Sequence, residues 1–196
     1  MNWKQFKILL LLATILGLGF ITTPSLTQEE PVPTIQFGKA RGSSGCSVKN
    51  QLTGRDRRTL AILLDNMSAA NGKRKNCVIK VDTIIPNGFH VQNVQILYQG
   101  STEVPSSGNT SLSRDYKFTG RSLEKVAGKP LISEYTSSNP LFQEQDEFVA
   151  ASASCGGQGL IGIHLIALSS PGASIIIDTA DLNAGDVKIY FDLARC

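Results

Sequence analysis

The chain has 196 residues, with 19 Lys and Arg against 16 Asp and Glu for a formal net charge of +3. So small an excess excludes binding by neutralisation of many phosphates, which needs clustered Lys and Arg, and no nucleic-acid partner is expected. The length suits one domain with a hydrophobic core, and no internal repeat or second domain is visible.

The first residues are the most legible. Lys4 and Lys7 precede an unbroken apolar run from Ile8 to Ile21. That run is shorter than the roughly 20 residues a membrane-spanning helix needs. A short basic start and an apolar core of this length read as a secretory signal peptide over residues 1–27. The small-residue exit Ser25-Leu26-Thr27 places the first mature residue at Gln28. An uncleaved anchor is the alternative, and a membrane enters the expectation only in that case. The expected location is secreted, that is, periplasmic or extracellular. Residues 1–27 carry two lysines and no acids, so the mature charge falls to +1.

Residues 28–45 hold Pro31, Pro33, Gly38, Gly42 and Gly45 and read as a flexible lead-in. A single β-sandwich domain is expected over 46–196. Its strands are short apolar or alternating stretches between turn residues. The first is Thr59 to Leu64, and Thr59 to Met67 could instead be a helical turn, because a short apolar run has no decisive period. Cys77 to Ile85 alternates and stops at Pro86-Asn87-Gly88, a strong turn signal. Phe89 to Tyr98 follows, and its phase breaks at Gln92-Asn93, as at a β-bulge. Past Ser106-Ser107-Gly108-Asn109, Leu112, Arg114, Tyr116 and Phe118 recur at period two. Residues 119–141 lose the rhythm and read as a long loop. Further strands are expected at 148–154, 160–168, 174–179 and 187–193. The 160–168 stretch is apolar almost throughout and reads as a central strand buried on both faces. About eight or nine such strands give an all-β, antiparallel, jelly-roll-like sandwich.

Cys46, Cys77, Cys155 and Cys196 all lie in the exported part, so one or two disulfides are expected. Of three pairings, Cys46–Cys77 with Cys155–Cys196 closes the shorter loops. Each such bridge is worth about 3–4 kcal/mol in the chain-entropy account. A four-thiolate zinc site would want a C-x-x-C pair, and none occurs.

Residues that could do chemistry are few, no catalytic residue is assigned and no cofactor is expected. His164 sits in the most apolar stretch and reads as a core residue. His90 follows a turn and reads as a strand end. Gly156-Gly157-Gln158-Gly159 precedes a strand, whereas a phosphate cradle opens a helix. Glu144, Asp146 and Glu147 cluster before an expected strand. Paired acids can hydrolyse glycosides, and an exposed polar loop is the plainer reading. Asp181, Asn183 and Asp186 around Gly185 faintly resemble a calcium loop, which needs hard oxygen ligands at alternating positions. Arg55-Asp56-Arg57-Arg58 and Lys73-Arg74-Lys75 read as solvated basic loops. Asn66-Met67-Ser68 and Asn109-Thr110-Ser111 match the glycosylation acceptor pattern, which matters only in a host that glycosylates. The only tryptophan, Trp3, lies in the signal stretch. Tyr98, Tyr116 and Tyr135 could substitute as sugar-stacking rings, but without a tryptophan the carbohydrate-binding reading loses ground.

From Gly45-Cys46 through Arg74-Lys75-Asn76-Cys77 and Ile85-Pro86-Asn87-Gly88-Phe89, the chain resembles an uncharacterised family of small secreted proteins. That family is catalogued as domain of unknown function forty-three sixty. The likeness continues at Ser154-Cys155-Gly156-Gly157, in the acidic segment and at the closing Cys196. It spans most of residues 42–196, with 119–141 the least alike. Where the family carries tryptophans near its third and last cysteines, this chain has Ser154 and Leu193-Ala194-Arg195. The resemblance implies secretion, four bridged cysteines and a β-rich fold, and it transfers no catalytic residue. The leading expectation is a non-enzymatic binding or structural module at the cell surface or matrix. A polysaccharide hydrolase or lyase using the 144–147 acids or His90 is the rival. A secreted inhibitor or effector, marked by an exposed apolar patch, is a third reading.

Overall fold

A computed structural model of the chain describes residues 33–120, 129–149, 154–177 and 187–196. The expected signal stretch 1–27 and the calcium candidate at Asp181, Asn183 and Asp186 lie outside these residues.

Alternation of inward apolar and outward polar side chains builds the fold, because successive residues of a strand point to opposite faces. Thirteen strands are described: β1 (Gln36–Phe37), β2 (Arg41–Ser43), β3 (Ser47–Thr53), β4 (Thr59–Asp65), β5 (Ser68–Ala70), β6 (Arg74–Ile85), β7 (Phe89–Glu103), β8 (Thr110–Gly120), β9 (Leu131–Tyr135), β10 (Asn139–Val149), β11 (Gly157–Ser169), β12 (Ser174–Ile176) and β13 (Val187–Arg195). One antiparallel sheet has the order β1-β6-β11-β8-β9, with β2 also on β6. The other runs β3-β4-β13-β7-β12-β5, with β10 along the remaining edge of β7. The two sheets form a sandwich. Inward side chains from both make the core, among them Leu60, Ile79, Ile96, Leu112, Ile163 and Ile189.

The strand count exceeds the eight or nine expected because β1, β2 and β5 are two or three residues each, too short to show a period, and because β3 and β9 lie at sheet edges and bury little. The ambiguous 59–67 stretch is not helical, and Thr59–Asp65 of it form strand β4. Residues 33–45 of the stretch read as a flexible lead-in are part of the fold. Ile35 and Ala40 are buried, and β1 and β2 pair with β6. The 119–141 loop is likewise corrected. Gly120 ends β8, β9 spans Leu131–Tyr135, and β10 has begun by Asn139. The strand expected at 148–154 overlaps β10, which is described over Asn139–Val149. Leu141, Ile132 and Val149, exposed on β9 and β10, explain the misreading, since these strands lie at sheet edges and bury apolar residues poorly.

β11 is central, as expected, but only one of its faces is buried. Ile161, Ile163, Leu165 and Ala167 point into the core, whereas Leu160, Gly162, His164 and Ile166 lie half-exposed on the outer side. His164 is therefore on an outer face rather than in the core. The register of β13 against β7 passes from Asp192↔Asn93 to Leu193↔Val91, which leaves Gln92 as an extra residue in a bulge. Disulfides join Cys46 to Cys77 across 31 residues and Cys155 to Cys196 across 41. The second ties the start of β11 to the chain's end beside the Pro86–Gly88 turn. There Gly156, at φ +67°, donates its N–H to the Phe89 carbonyl at 2.7 Å.

Candidate functional site

The tyrosines named as sugar platforms are not free. Tyr98 (β7) and Tyr116 (β8) are buried between the sheets. The Tyr98 hydroxyl donates to that of Tyr116 at 2.7 Å, and Tyr116 donates to Asp146 Oδ2. Arg114 Nε donates to the same oxygen at 2.7 Å and Arg114 Nη2 to Oδ1 at 3.2 Å. Arg114 and Asp146 are 4% and 5% exposed, so a bidentate ion pair is sealed inside the sandwich. Tyr135 is half-buried and donates to Glu144 Oε1 at 2.9 Å. Burial pushes the phenols of Tyr98, Tyr116 and Tyr135 upward, and the nearby Asp146 and Glu144 charges add to the rise. Burial alone would lower the Arg114 guanidinium, and the Asp146 partner more than offsets it.

This arrangement also corrects the acidic cluster. Glu144, Asp146 and Glu147 lie within β10 rather than on a loop before a strand, and alternation divides them. Glu144 and Asp146 turn toward the six-stranded sheet, whereas Glu147 turns outward to accept from Asn93 Nδ2 and, at 3.5 Å, from Gln95 Nε2. A carboxylate clamped by Arg114 and Tyr116 away from solvent cannot meet a substrate. His90, in β7, lies beside the Cys155–Cys196 bridge, its Nδ1 3.7 Å from Cys196 Sγ. Among the described residues no three or more His, Cys, Asp and Glu are grouped to hold a metal ion. Asn66 and Asn109 are exposed in turns.

The fourth tyrosine went unnoticed in the sequence. Val187, Ile189 and Phe191 of β13 face the core, so Lys188, Tyr190 and Asp192 face outward. That alternation was the signal that could have found Tyr190. Register then sets its neighbours. Tyr190 pairs with Thr59 on β4 and with Gln95 on β7, and Gln95 pairs with Glu147 on β10. One row back, Lys188 is flanked by Ala61 and Leu97, and Leu97 by Gln145. The outer face of the seven-stranded sheet is thus a tyrosine among amides and balanced charges. Lys188 Nζ lies 5.3 Å from the ring centroid, a cation–π contact that orients the ring.

Three hollows, of about 420, 210 and 200 Å³, share Tyr190 in their walls. The middle one is lined by Asp56, Arg58, Asn93, Gln95, Tyr190 and Asp192. Two of these lining residues carry a buried polar atom without a hydrogen-bond partner among the described residues, the Asn93 Oδ1 acceptor and the Arg58 Nε donor. The Asn93 amide orientation follows from its other end, since only Nδ2 can donate to Glu147. Arg58 belongs to the turn between β3 and β4, one of the basic clusters read as a solvated loop. The turn is instead tightly built. Asp56 accepts from Arg58 N at 3.0 Å, Thr59 N at 3.1 Å and Thr59 Oγ1 at 2.7 Å. Partial burial would raise the Asp56 carboxyl, but these hydrogen bonds hold it below its ordinary value. Phe191 N donates to Arg58 O and pins the turn to β13.

Residues 34–196 match the family described as a domain of unknown function, DUF4360. The chain belongs to this family. No curated protein matches it. Among solved structures it is similar to TmCBM61 in complex with β-1,4-galactotriose, at 12% identity and TM-score 0.35 over 78% of this chain and 88% of that one. It is also similar to the C-terminal CBM6 of LamC from Zobellia galactanivorans, at 13% identity and TM-score 0.27 over 78% and 99%. The family 11 carbohydrate-binding module from Clostridium thermocellum matches at 8% identity and TM-score 0.22, over 84% and 91%. Likeness of this order carries neither ligand nor mechanism from those proteins to this DUF4360 chain.

Proposed function

We propose that this DUF4360 protein is an exported, non-enzymatic module that seats a neutral polyhydroxylated chain, a glycan, across the outer face of its seven-stranded sheet. The observation that carries this reading is the middle hollow. There an outward Tyr190 ring adjoins a buried acceptor, Asn93 Oδ1, and a buried donor, Arg58 Nε, neither of which has a partner. An unpartnered buried polar atom costs roughly 1–3 kcal/mol, so a ligand that satisfies both is favoured. Sugar hydroxyls carry both functions, donating to an acceptor such as Asn93 Oδ1 and accepting from a donor such as Arg58 Nε. The apolar side of a sugar ring can lie on Tyr190, whose flat ring offers apolar area at little entropic cost. Charges on this face come in both signs (Lys188, Arg58, Asp56, Asp192, Glu147), which suits a neutral ligand.

The test is affinity electrophoresis through gels holding neutral polysaccharides, followed by calorimetry on oligosaccharides of any that retard the protein. Tyr190→Ala is expected to weaken binding about tenfold, equivalent to about 1.4 kcal/mol, with the unfolding midpoint unchanged. Retardation by no neutral polysaccharide, or undiminished binding by Tyr190→Ala, would overturn the reading.

Export is the second half of the proposal, resting on the Lys4/Lys7 and 8–21 pattern, with two disulfides compatible with an oxidising compartment. Mass spectrometry of protein from its native host should find a new N-terminus at Gln28 and no free thiol. An intact Met1 with free thiols would contradict it.

A further inference from the structure

The opposite outer face, that of the six-stranded sheet, has a different chemistry. Register places Lys80 on β6 and Lys117 on β8 as the two direct partners of Gly162 on β11. The lysines thus stand two strand spacings apart, roughly 10 Å between backbones, with no side chain between them. A Cβ at position 162 would lie 3.1 Å from the Lys117 carbonyl oxygen and 3.7 Å from Lys117 Cβ, so glycine keeps the notch open. The next row across the same strands is Val78, His164 and Asp115. Together these residues and Leu160 line a groove of about 460 Å³.

The charges in this groove are unequal. Lys80 and Lys117 make no ion pair with any described residue, whereas the adjacent Asp82 is neutralised by Arg41 at 2.7 Å. Asp115 is partly committed, accepting from Tyr116 N at 2.9 Å. With two ammonium groups against one carboxylate, the groove carries a surplus of about one positive charge. We infer that this groove is a second binding site, one that takes a singly charged oxyanion, a carboxylate or a sulfate ester, carried on a sugar chain. The oxyanion sits over Gly162 between the two flexible ammonium groups, which converge on it as point charges. Val78 and Leu160 cover the apolar side of the ring that bears it. The surplus of one charge disfavours a dianion. This site shares no residue with the Tyr190 face and stands or falls separately from it.

The test is calorimetry and amide chemical-shift mapping with three probes, namely oligogalacturonate, its methyl ester and a sulfated oligosaccharide. One or both acidic probes should bind, shifting the amides of residues 117 and 160–164. Which one binds names the source of the oxyanion. The neutral ester should fail to shift these amides. The double variant Lys80→Gln/Lys117→Gln should lose about tenfold in affinity, because each exposed pair is worth little and two act together. Binding should also weaken between about 0.1 M and about 1 M salt, as the screening length falls from about 10 Å to about 3 Å. Tyr190→Ala should leave it intact. Failure of both acidic probes, equal binding of the ester, or full affinity in a folded double variant would overturn the inference.

Discussion

Two clusters in this protein use the same kinds of side chain to opposite ends. Across β7, β8 and β10, two tyrosines, an arginine and an aspartate form a closed chain in which Tyr98 donates to Tyr116, while Tyr116 and Arg114 donate to Asp146. On the seven-stranded sheet, Tyr190, Arg58, Asn93 and Asp192 gather around one hollow, and there a donor and an acceptor are left over. Saturation separates them. A buried network whose groups answer one another ties two sheets together and has nothing to offer a ligand. A part-filled one is costly until something else completes it.

The comparison breaks most visibly at Asp146. Asp146→Ala leaves Arg114 charged, buried and without its bidentate partner, and should lower unfolding free energy by about 3–5 kcal/mol in chemical denaturation. Replacing the pair, Arg114→Met with Asp146→Leu, should recover most of that loss, since packed apolar residues escape the desolvation cost of both charges. A double variant as unstable as the single one would mean that the ion pair itself stabilises the fold.

A smaller effect should come from alkali. The phenols of Tyr98, Tyr116 and Tyr135 are held above their ordinary value in the folded state. The folded protein therefore keeps their protons where the unfolded chain has released them. Stability from these groups is complete below the unfolded value near pH 10 and falls as pH rises beyond it. Denaturation midpoints should drop above about pH 10, with the three phenols ionising only as the chain unfolds. Constant stability there would mean that the cluster is open to water. Asp56 has the opposite sign. Its carboxyl is held low, so its contribution is complete above about 3.8 and fades as pH falls through the lower folded value.

The smallest effect on stability is expected at the open cluster. Tyr190→Ala should shift unfolding free energy by no more than about 0.5 kcal/mol, as for most outward substitutions, while weakening glycan binding. A large stability loss there would make Tyr190 structural, like Tyr98 and Tyr116, and erase the contrast.

Much of the fold was legible because alternation is local. Cys77 to Ile85, the Pro86-Asn87-Gly88 turn and the period-two run from Leu112 to Phe118 each carry their structure in consecutive residues. The bulge at Gln92 showed as a phase break for the same reason. Edge strands β3 and β9 and most of β10 were missed because an edge buries less and its pattern is diluted. The 160–168 stretch misled because its outward Leu160 and Ile166 are as apolar as its inward partners, so composition could not tell one buried face from two.

The residues alone determined the all-β architecture and the four cysteines, since strand period and residue chemistry are properties of short segments. Only the tertiary structure decided which side chains meet. Arg114 finds Asp146 across 32 residues and Tyr98 finds Tyr116 across 18 because two sheets stack face to face. Lys80 and Lys117 share a notch because β11 threads between their strands. A register shift of one residue would have moved each of these groups to the other side of its sheet. Which tyrosines are spent in the core, and which one is left facing outward, follows from the pairing of distant strands rather than from any stretch of sequence.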